Sequence, residues 1–198
     1  MPSSPTILAF DTSAAHVAAA LFLRGSMVVR VEEMKRRQGE RLFPLLEEIL
    51  SGERVEWRAL DSLAVCTGPG NFTGIRISVS AARGLALGLK IPAYGVSVFE
   101  AVALALNSPA NVAIPAPQER VFLADPKRPE AATLVSSDGL PREVSRLDQT
   151  SAAERIDALA RIGAARWQEG ATHEPPKPLY IKPADAAPPK DAPPVLID

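Results

Sequence analysis

Residues 63–89 read LAVCTGPGNFTGIRISVSAARGLALGL, and this stretch decides the fold. The apolar run 63–66 predicts a short buried strand, and the three glycines that follow it predict a tight loop. The loop leads into a predicted helix from Ile75 to Leu89, with Thr73 as its N-cap. A strand, a glycine-rich loop and a helix in this order are typical of α/β proteins.

The segments around this unit predict the rest of a mixed sheet. Three apolar runs precede it, at residues 6–10, 17–23 and 27–31, and the short connections between them predict an antiparallel meander. Residues 41–50 carry apolar side chains at the helical period, and a strand at 91–96 and a helix at 98–106 follow. The order β-β-β-α-β-α-β-α predicts an α/β fold with helices on the faces of the sheet.

The second half of the chain has a different composition. Only 5 of the 19 prolines lie in residues 1–100. We predict strands at 111–114 and 121–124, a loop over 126–147 and an amphipathic helix over 151–167. The tail 173–198 holds 8 prolines, which exclude a regular element. We therefore divide the chain into a domain at 1–106 and a smaller, proline-rich one at 107–198.

The composition also disfavours several classes of protein. Lys plus Arg total 22 and Asp plus Glu total 23, and the net charge of -1 argues against a strongly basic nucleic-acid binder. A single cysteine, Cys66, excludes an internal disulfide and a cysteine-rich metal site. The sequence has neither an apolar run of about 18 residues, as a membrane span needs, nor a signal-peptide pattern at its start. We expect a cytoplasmic protein.

The glycine-rich loop is a candidate anion site. Gly68, Gly70 and Thr73 precede or open the long helix, and the first N–H groups of a helix can receive a phosphate. The loop lacks the Gly-Lys-Ser/Thr ending of a P-loop. We therefore favour a purely structural turn and keep anion binding as the alternative.

A second candidate follows the first strand. Asp11, Thr12 and Ser13 could hold a hydrated metal near a phosphate, or they could form a turn that bonds its own backbone. A single carboxylate without an evident partner favours the turn. We expect His16, in the same hairpin turn, to be exposed.

The long helix predicts a protein interface. Ile75, Val79 and Ala82 share one apolar side that should cover the sheet, and the opposite side consists of small and apolar residues. Its only charged residues are Arg76 and Arg83. We infer a helix-mediated contact with another protein. The alternative is that this helix and the one at 41–50 simply pack on each other.

Four segments, ILAFDTS, ERLFPLLEEIL, GPGNFTGIRI and IPAYGVSVFEA, resemble the TsaB (YeaZ) family over residues 6–106. The ending LYIKPADAAPP resembles the family's C-terminal segment, so we expect an extended, ordered chain through about Pro183. The resemblance implies the fold of the actin-like and Hsp70-like ATPase superfamily, with two RNase H-like lobes. The second lobe is short here and is expected to be a reduced version.

The resemblance further implies a non-catalytic subunit. It would pair with a TsaD-like paralogue, which makes N6-threonylcarbamoyladenosine beside the anticodon of tRNA, and with a TsaE-like ATPase. Alone it would form a homodimer. It would reach tRNA indirectly and would meet ATP or ADP only through the complex. The implied interface, taken with the helix analysis, consists of Glu40, Leu42, Leu45, Leu46, Arg76, Ile77, Ser80, Ala81, Arg83, Gly84 and Gly88.

Two departures from the family pattern bear on chemistry. Catalytic relatives hold a metal through His-x-x-x-His, which His16 and His173 cannot form, so no metal site is expected. Before the first helix, Gln38-Gly39-Glu40 replaces the family's His-Ser-Glu, and only Glu40 carries over. The alternatives are a stand-alone nucleotide-binding ATPase or kinase-like enzyme of the same fold and, with less support, a metallopeptidase.

Overall fold

A computed structural model of the chain describes residues 4–141, 143–171 and 174–181. Within them, two sheets and four longer helices follow the pattern expected of a mixed α/β fold. The elements are β1 (Ile7–Asp11), β2 (His16–Leu23), β3 (Ser26–Glu33), α1 (Gln38–Gly52), β4 (Ser62–Cys66), α2 (Phe72–Leu89), β5 (Ala93–Val96), α3 (Val98–Ala105), β6 (Val112–Ala116), β7 (Arg120–Ala124), β8 (Thr133–Ser136), β9 (Ser145–Arg146) and α4 (Ala152–Gln168).

The first sheet confirms the predicted meander. Its strand order is β3-β2-β1-β4-β5. The pairs β1–β2 and β2–β3 are antiparallel, whereas β1–β4 and β4–β5 are parallel. The parallel pairs require crossover connections, which α1 and α2 supply. This sheet is the mixed sheet that the first hundred residues predict.

Both faces of the first sheet are covered. Leu8 and Phe10 of β1 point toward α1 and α2, while Ile7 and Ala9, one residue out of phase, point toward α3 and α4. This alternation follows from the two-residue period of a strand. All five residues of β1 and of β4 are buried as a result.

The helix α4 comes from the second half of the chain but packs on β1, β2 and β4 of the first sheet. Gly163 makes the close approach possible, since a Cβ there would lie 2.6 Å from the Cβ of Ala64. The core of the first sheet therefore extends past residue 106. The division into domains at that residue stays a prediction.

The second sheet has the order β8-β7-β6-β9. Its strands β6 and β7 confirm the two strands predicted in the second half. The prediction of a loop over 126–147 is wrong, because β8 and β9 lie within it. These strands have 4 and 2 residues and are flanked by proline and glycine, so they are too short to show a period.

The described end of the chain runs as an extended segment beside β5 and α2. The N–H of Leu179 donates to the carbonyl of Thr67 at 2.8 Å, and Leu179 and Ile181 pack against the core. Residues 174–181 confirm the expected extended chain as far as they go. The rest of that prediction, Lys182 and Pro183, lies outside the described residues.

None of the helices in the described part of the chain combines the length and apolarity that a bilayer crossing requires.

Replacing Gly163 by alanine tests the close packing of α4. The new Cβ would press on Ala64 in a rigid strand, so we expect Gly163→Ala to lower the free energy of unfolding by about 1–3 kcal/mol. Gly52→Ala, where nothing lies within 4 Å, is the control and should keep or slightly raise stability. Urea unfolding measures both. Equal stability of the two variants would contradict the packing.

Candidate functional site

The glycine-rich loop rests directly on the turn that follows β1. A Cβ at Gly70 would lie 2.3 Å from the carbonyl oxygen of Ser13, and one at Gly74 would lie 1.8 Å from that of Thr12. Two hydrogen bonds join the same segments: Asn71 N–H donates to the Ser13 carbonyl at 2.6 Å, and the Thr12 hydroxyl donates to the Gly74 carbonyl at 2.6 Å. The approach of one backbone to another thus accounts for these glycines without a ligand.

Two of the amide groups at the start of α2, those of Gly74 and Ile75, bond to Asn71. The Asn71 side chain accepts the Gly74 N–H at 2.9 Å and caps the helix. The prediction of Thr73 as N-cap is wrong, because α2 begins at Phe72 and Thr73 lies exposed inside its first turn. Asn71 satisfies the donor that an anion would otherwise compete for.

Asp11 has a buried partner that the sequence pattern does not reveal. Its Oδ2 lies 3.1 Å from His16 Nε2, and its Oδ1 accepts the Ser13 N–H at 2.7 Å. The second bond confirms the expected turn that bonds its own backbone. The prediction of an exposed His16 is wrong: β2 begins at this residue, and the strand places the ring against Asp11 in the interior.

Gln38 is a further residue of this site, which the sequence marked only as a departure from the family pattern. Its Nε2 donates to the carbonyl oxygen of Ala14 and, at 2.7 Å, to that of His16. The first residue of α1 therefore ties down the turn between β1 and β2. The sequence does not show that Gln38 is buried at the start of α1, and its contacts with the turn follow from that burial.

The electrostatics of the turn favour an ionised carboxylate and a neutral thiol. Burial raises the pKa of Asp11, but the hydrogen bond and charge of His16, together with the Ser13 N–H, outweigh it and hold that pKa below its ordinary value. Burial and the nearby charge of Asp11 raise the pKa of Cys66 well above its usual range. Its thiol, 3.4 Å from Ser13 Oγ, therefore stays protonated and is a poor nucleophile.

The cavity beside this turn is small. Asp11, His16 and Cys66 line it together with Arg155 of α4, and its volume is ≈ 100 Å³. Ligand pockets usually measure about 300–1,000 Å³. This space holds a few water molecules and does not accommodate a nucleotide in the conformation described.

The helix α2 buries one side and exposes the other. Ile75, Val79 and Ala82 face the sheet as predicted. On the outer side, a Cβ added at Gly84 or at Gly88 would meet no atom within 4 Å, and the side chain of Leu87 is 83% exposed. The described residues of the chain therefore leave this side of α2 uncovered.

The predicted contribution of α1 to an interface needs correction. Leu42, Leu45 and Leu46 are at most 1% exposed, because the apolar stripe of α1 covers the sheet and packs beside α2. They cannot contact another protein, and their prediction as interface residues is wrong. Glu40, Phe43 and Pro44 are exposed in this part of α1.

The alternative, that α1 and α2 pack on each other, is true of part of their surface. Ile77 contacts the start of α1 near Gly39, and Ile77 and Ala81 are half-buried against the core. The remaining predicted positions, Arg76, Ser80, Arg83, Gly84 and Gly88, are all exposed. The structure thus places these residues together on the exposed face of α2, and the role of this face in binding stays a prediction.

In residues 4–141, 143–171 and 174–181, no group of three His, Cys, Asp or Glu side chains is arranged to hold a metal ion.

Comparison with known proteins places these features in a family. The model of the family described as TsaD, tRNA N6-adenosine threonylcarbamoyltransferase, matches residues 29–182. The tRNA threonylcarbamoyladenosine biosynthesis protein TsaB of Haemophilus influenzae is 31% identical over 170 residues, covering 83% of this chain and 72% of that protein. TsaB of Escherichia coli is 36% identical over 97 residues, covering 49% of this chain and 42% of that protein.

The TsaB proteins differ in how much of their length is matched. TsaB of Buchnera aphidicola from Schizaphis graminum is 35% identical over 100 residues, covering 50% of this chain and 48% of that protein. The chain thus spans about half the length of several relatives that it matches.

Among solved structures, YeaZ from Pseudomonas aeruginosa superposes with a TM-score of 0.72 at 24% identity and shows the same fold. The superposition covers 89% of this chain and 100% of that one.

Gly74→Ala tests the close contact between the glycine-rich loop and the carbonyl of Thr12. Because the new Cβ would meet a backbone oxygen, we expect a loss of about 3 kcal/mol or more in the free energy of unfolding. Gly84→Ala in the same helix, where space is open, should be neutral or stabilising by up to about 1 kcal/mol. Urea unfolding, or soluble yield if the first variant does not fold, reports the difference. A Gly74→Ala protein as stable as the parent would contradict the contact.

Asp11→Asn tests the buried pair through its pH dependence. A carboxyl whose pKa is lowered on folding stabilises the protein above its unfolded value, about 4, and this stabilisation disappears as the pH falls through the folded pKa. We expect the parent to exceed the variant in stability at neutral pH and the difference to shrink on acidification. Chemical unfolding from neutral pH to about pH 3 measures it. Asp148→Asn, at an exposed site, is the control; a pH-independent difference for Asp11→Asn would contradict the prediction.

Proposed function

The chain belongs to the TsaB branch of the threonylcarbamoyltransferase family, and on that premise we propose that it serves tRNA threonylcarbamoyladenosine biosynthesis as a non-catalytic subunit. It pairs with a TsaD-like paralogue, which performs the transfer, and a TsaE-like ATPase joins the pair. It forms a homodimer through the same surface when the paralogue is absent. This work takes place in the cytoplasm, and tRNA is contacted through the complex.

The exposed face of α2 carries this proposal. Among the described large apolar side chains Leu87 is the most exposed, and the neighbouring Gly84 and Gly88 leave the helix backbone accessible. Glycine lowers helix stability by about 1 kcal/mol relative to alanine, so two of them in one exposed helix weaken the free chain. Small residues become favourable when a second helix packs closely over them. A partner helix is the natural cover for this face.

The cleft beside Asp11 supports the non-catalytic part of the proposal. The carboxylate is engaged by His16 and Ser13, the thiol of Cys66 is neutral, and the space beside them is ≈ 100 Å³. A nucleotide-using enzyme needs an open site with free donors for phosphate. These residues instead have partners within the chain, which disfavours the alternative of a stand-alone ATPase or kinase-like enzyme.

Co-purification with the cognate TsaD-like protein tests the proposal. We expect a complex with the parent chain and at least a tenfold loss of affinity with Gly84→Trp, because the indole occupies the space that a partner helix needs. Leu104→Trp, on the exposed side of α3, is the matched control and should bind as the parent does. The assay is repeated with the TsaE-like ATPase and ATP.

Two outcomes would contradict the proposal. One is that the parent forms no complex and a strain lacking the chain keeps its threonylcarbamoyladenosine. The other is that Gly84→Trp assembles with the partner as well as Leu104→Trp does. Circular dichroism of both variants establishes that they are folded.

A further inference from the structure

Three exposed side chains form a cluster where α2 meets the C-terminal segment. The guanidinium carbon of Arg76 lies 4.0 Å from the ring centre of Phe72 and 6.0 Å from that of Tyr180, and Arg76 Nε donates to the Tyr180 hydroxyl at 3.0 Å. The two rings are 5.8 Å apart. Phe72 is 54% and Tyr180 55% exposed. Two aromatic residues 108 positions apart thus hold one arginine at the surface.

This arrangement orients Arg76 but leaves its terminal nitrogens free. In the described part of the chain, Nη1 and Nη2 of Arg76 have no hydrogen-bond partner, and no carboxylate pairs with it. By contrast, the guanidinium of Arg41 forms ion pairs with Glu32 and Glu48. A guanidinium that is already held by stacking and by its Nε loses little further conformational entropy when its two terminal nitrogens bind a planar anion.

A second free arginine lies on the same stripe of α2. Arg76, Ser80 and Arg83 are spaced by four and three residues, which places them in line on one face of the helix. Arg83 has no ion pair or hydrogen bond among the described residues. These residues line a groove of ≈ 420 Å³ between α2 and the C-terminal segment. Its walls in the described part of the chain contain no acidic residue: Arg76, Val79, Ser80, Arg83, Pro178 and Tyr180.

We propose that this groove receives a carboxylate-bearing segment of the TsaD-like partner, with Arg76 and Arg83 as its two cationic contacts and the Tyr180 hydroxyl as the group that orients Arg76. The proposal rests on the proposed function and adds the chemistry by which the partner is recognised. It also assigns a role to the C-terminal segment, whose Tyr180 forms one wall of the groove.

Charge complementarity and the apolar borders decide the kind of occupant. Among the described residues the groove has two unpaired cations and no anion, and such a groove attracts a surface rich in Asp or Glu. Exposed Phe72 lies at one end of the stripe and exposed Leu87 at the other. Apolar side chains flanking charged contacts are typical of a protein interface, whereas phosphate-binding surfaces are more strongly basic. The carboxylate therefore belongs to a protein.

The test measures the Kd of the full chain for the cognate TsaD-like protein by calorimetry. We expect Arg76→Glu and Arg83→Glu each to weaken binding about tenfold or more. Tyr180→Phe keeps the ring and should weaken it about two- to tenfold, because Arg76 loses its orienting bond. Arg76→Lys should fall between the parent and Arg76→Glu. Arg30→Glu, at an exposed position on the edge strand β3, is the matched control and should bind as the parent does.

The outcomes separate this proposal from the proposed function. If Gly84→Trp abolishes binding while both arginine reversals stay within about twofold of Arg30→Glu, the interface stands and the cationic groove is overturned. If Gly84→Trp has no effect, the proposed function itself fails. If the reversals weaken binding of a tRNA anticodon stem-loop, used as probe, but not of the protein partner, the groove binds phosphate and the proposal is wrong.

Discussion

The close backbone contact between the glycine-rich loop and the turn after β1 is the contact on which the remaining structure depends. It joins residues 62 positions apart through Thr12 and Gly74. Closing a loop of that length costs conformational entropy, which several concerted backbone bonds and the burial of β1 and β4 must offset. The contact sets the residue at which α2 begins. It thereby sets which side of α2 lies on the sheet and which side faces outward.

The same contact determines what the neighbouring cleft can do. A phosphate site needs separated backbones with N–H groups directed at open space. Here Gly70 and Gly74 bring two backbones together, and the amides of Asn71 and Gly74 bond within the protein. Asp11 is likewise held by His16, so its charge is satisfied internally. The close approach at Gly70 and Gly74 therefore serves packing, and anion binding by the loop stays the alternative prediction.

Sequence patterns were sufficient for the long elements and insufficient for contacts between them. The strands β1 to β3 were visible as continuous apolar runs, at residues 6–10, 17–23 and 27–31, and the apolar stripes of α2 and α4 show the helical period of 3.6 residues. Strands of two to four residues, such as β8 and β9, are too short to show either pattern. The pairing of Asp11 with His16 depends on how a turn folds back. The apolar stripe of α1 correctly predicted a helix, but it also led to the prediction of Leu42 as an interface residue. An apolar stripe indicates that a side chain is buried and does not indicate whether the sheet or another protein covers it.

The composition of α2 suits both its place in the core and the contact with a partner that we propose for it. Its 18 residues carry only two charges, although an exposed helix face usually carries several. Glycines at 84 and 88 reduce the stability of the free helix by about 1 kcal/mol each relative to alanine. The exposed Leu87 contributes almost no free energy of apolar burial. In the proposed complex, burial of Leu87 and close packing over the two glycines would offset these costs. Tyr180 adds to this face from the far end of the chain, because the packing of Leu179 and Ile181 against the core fixes its position beside Arg76.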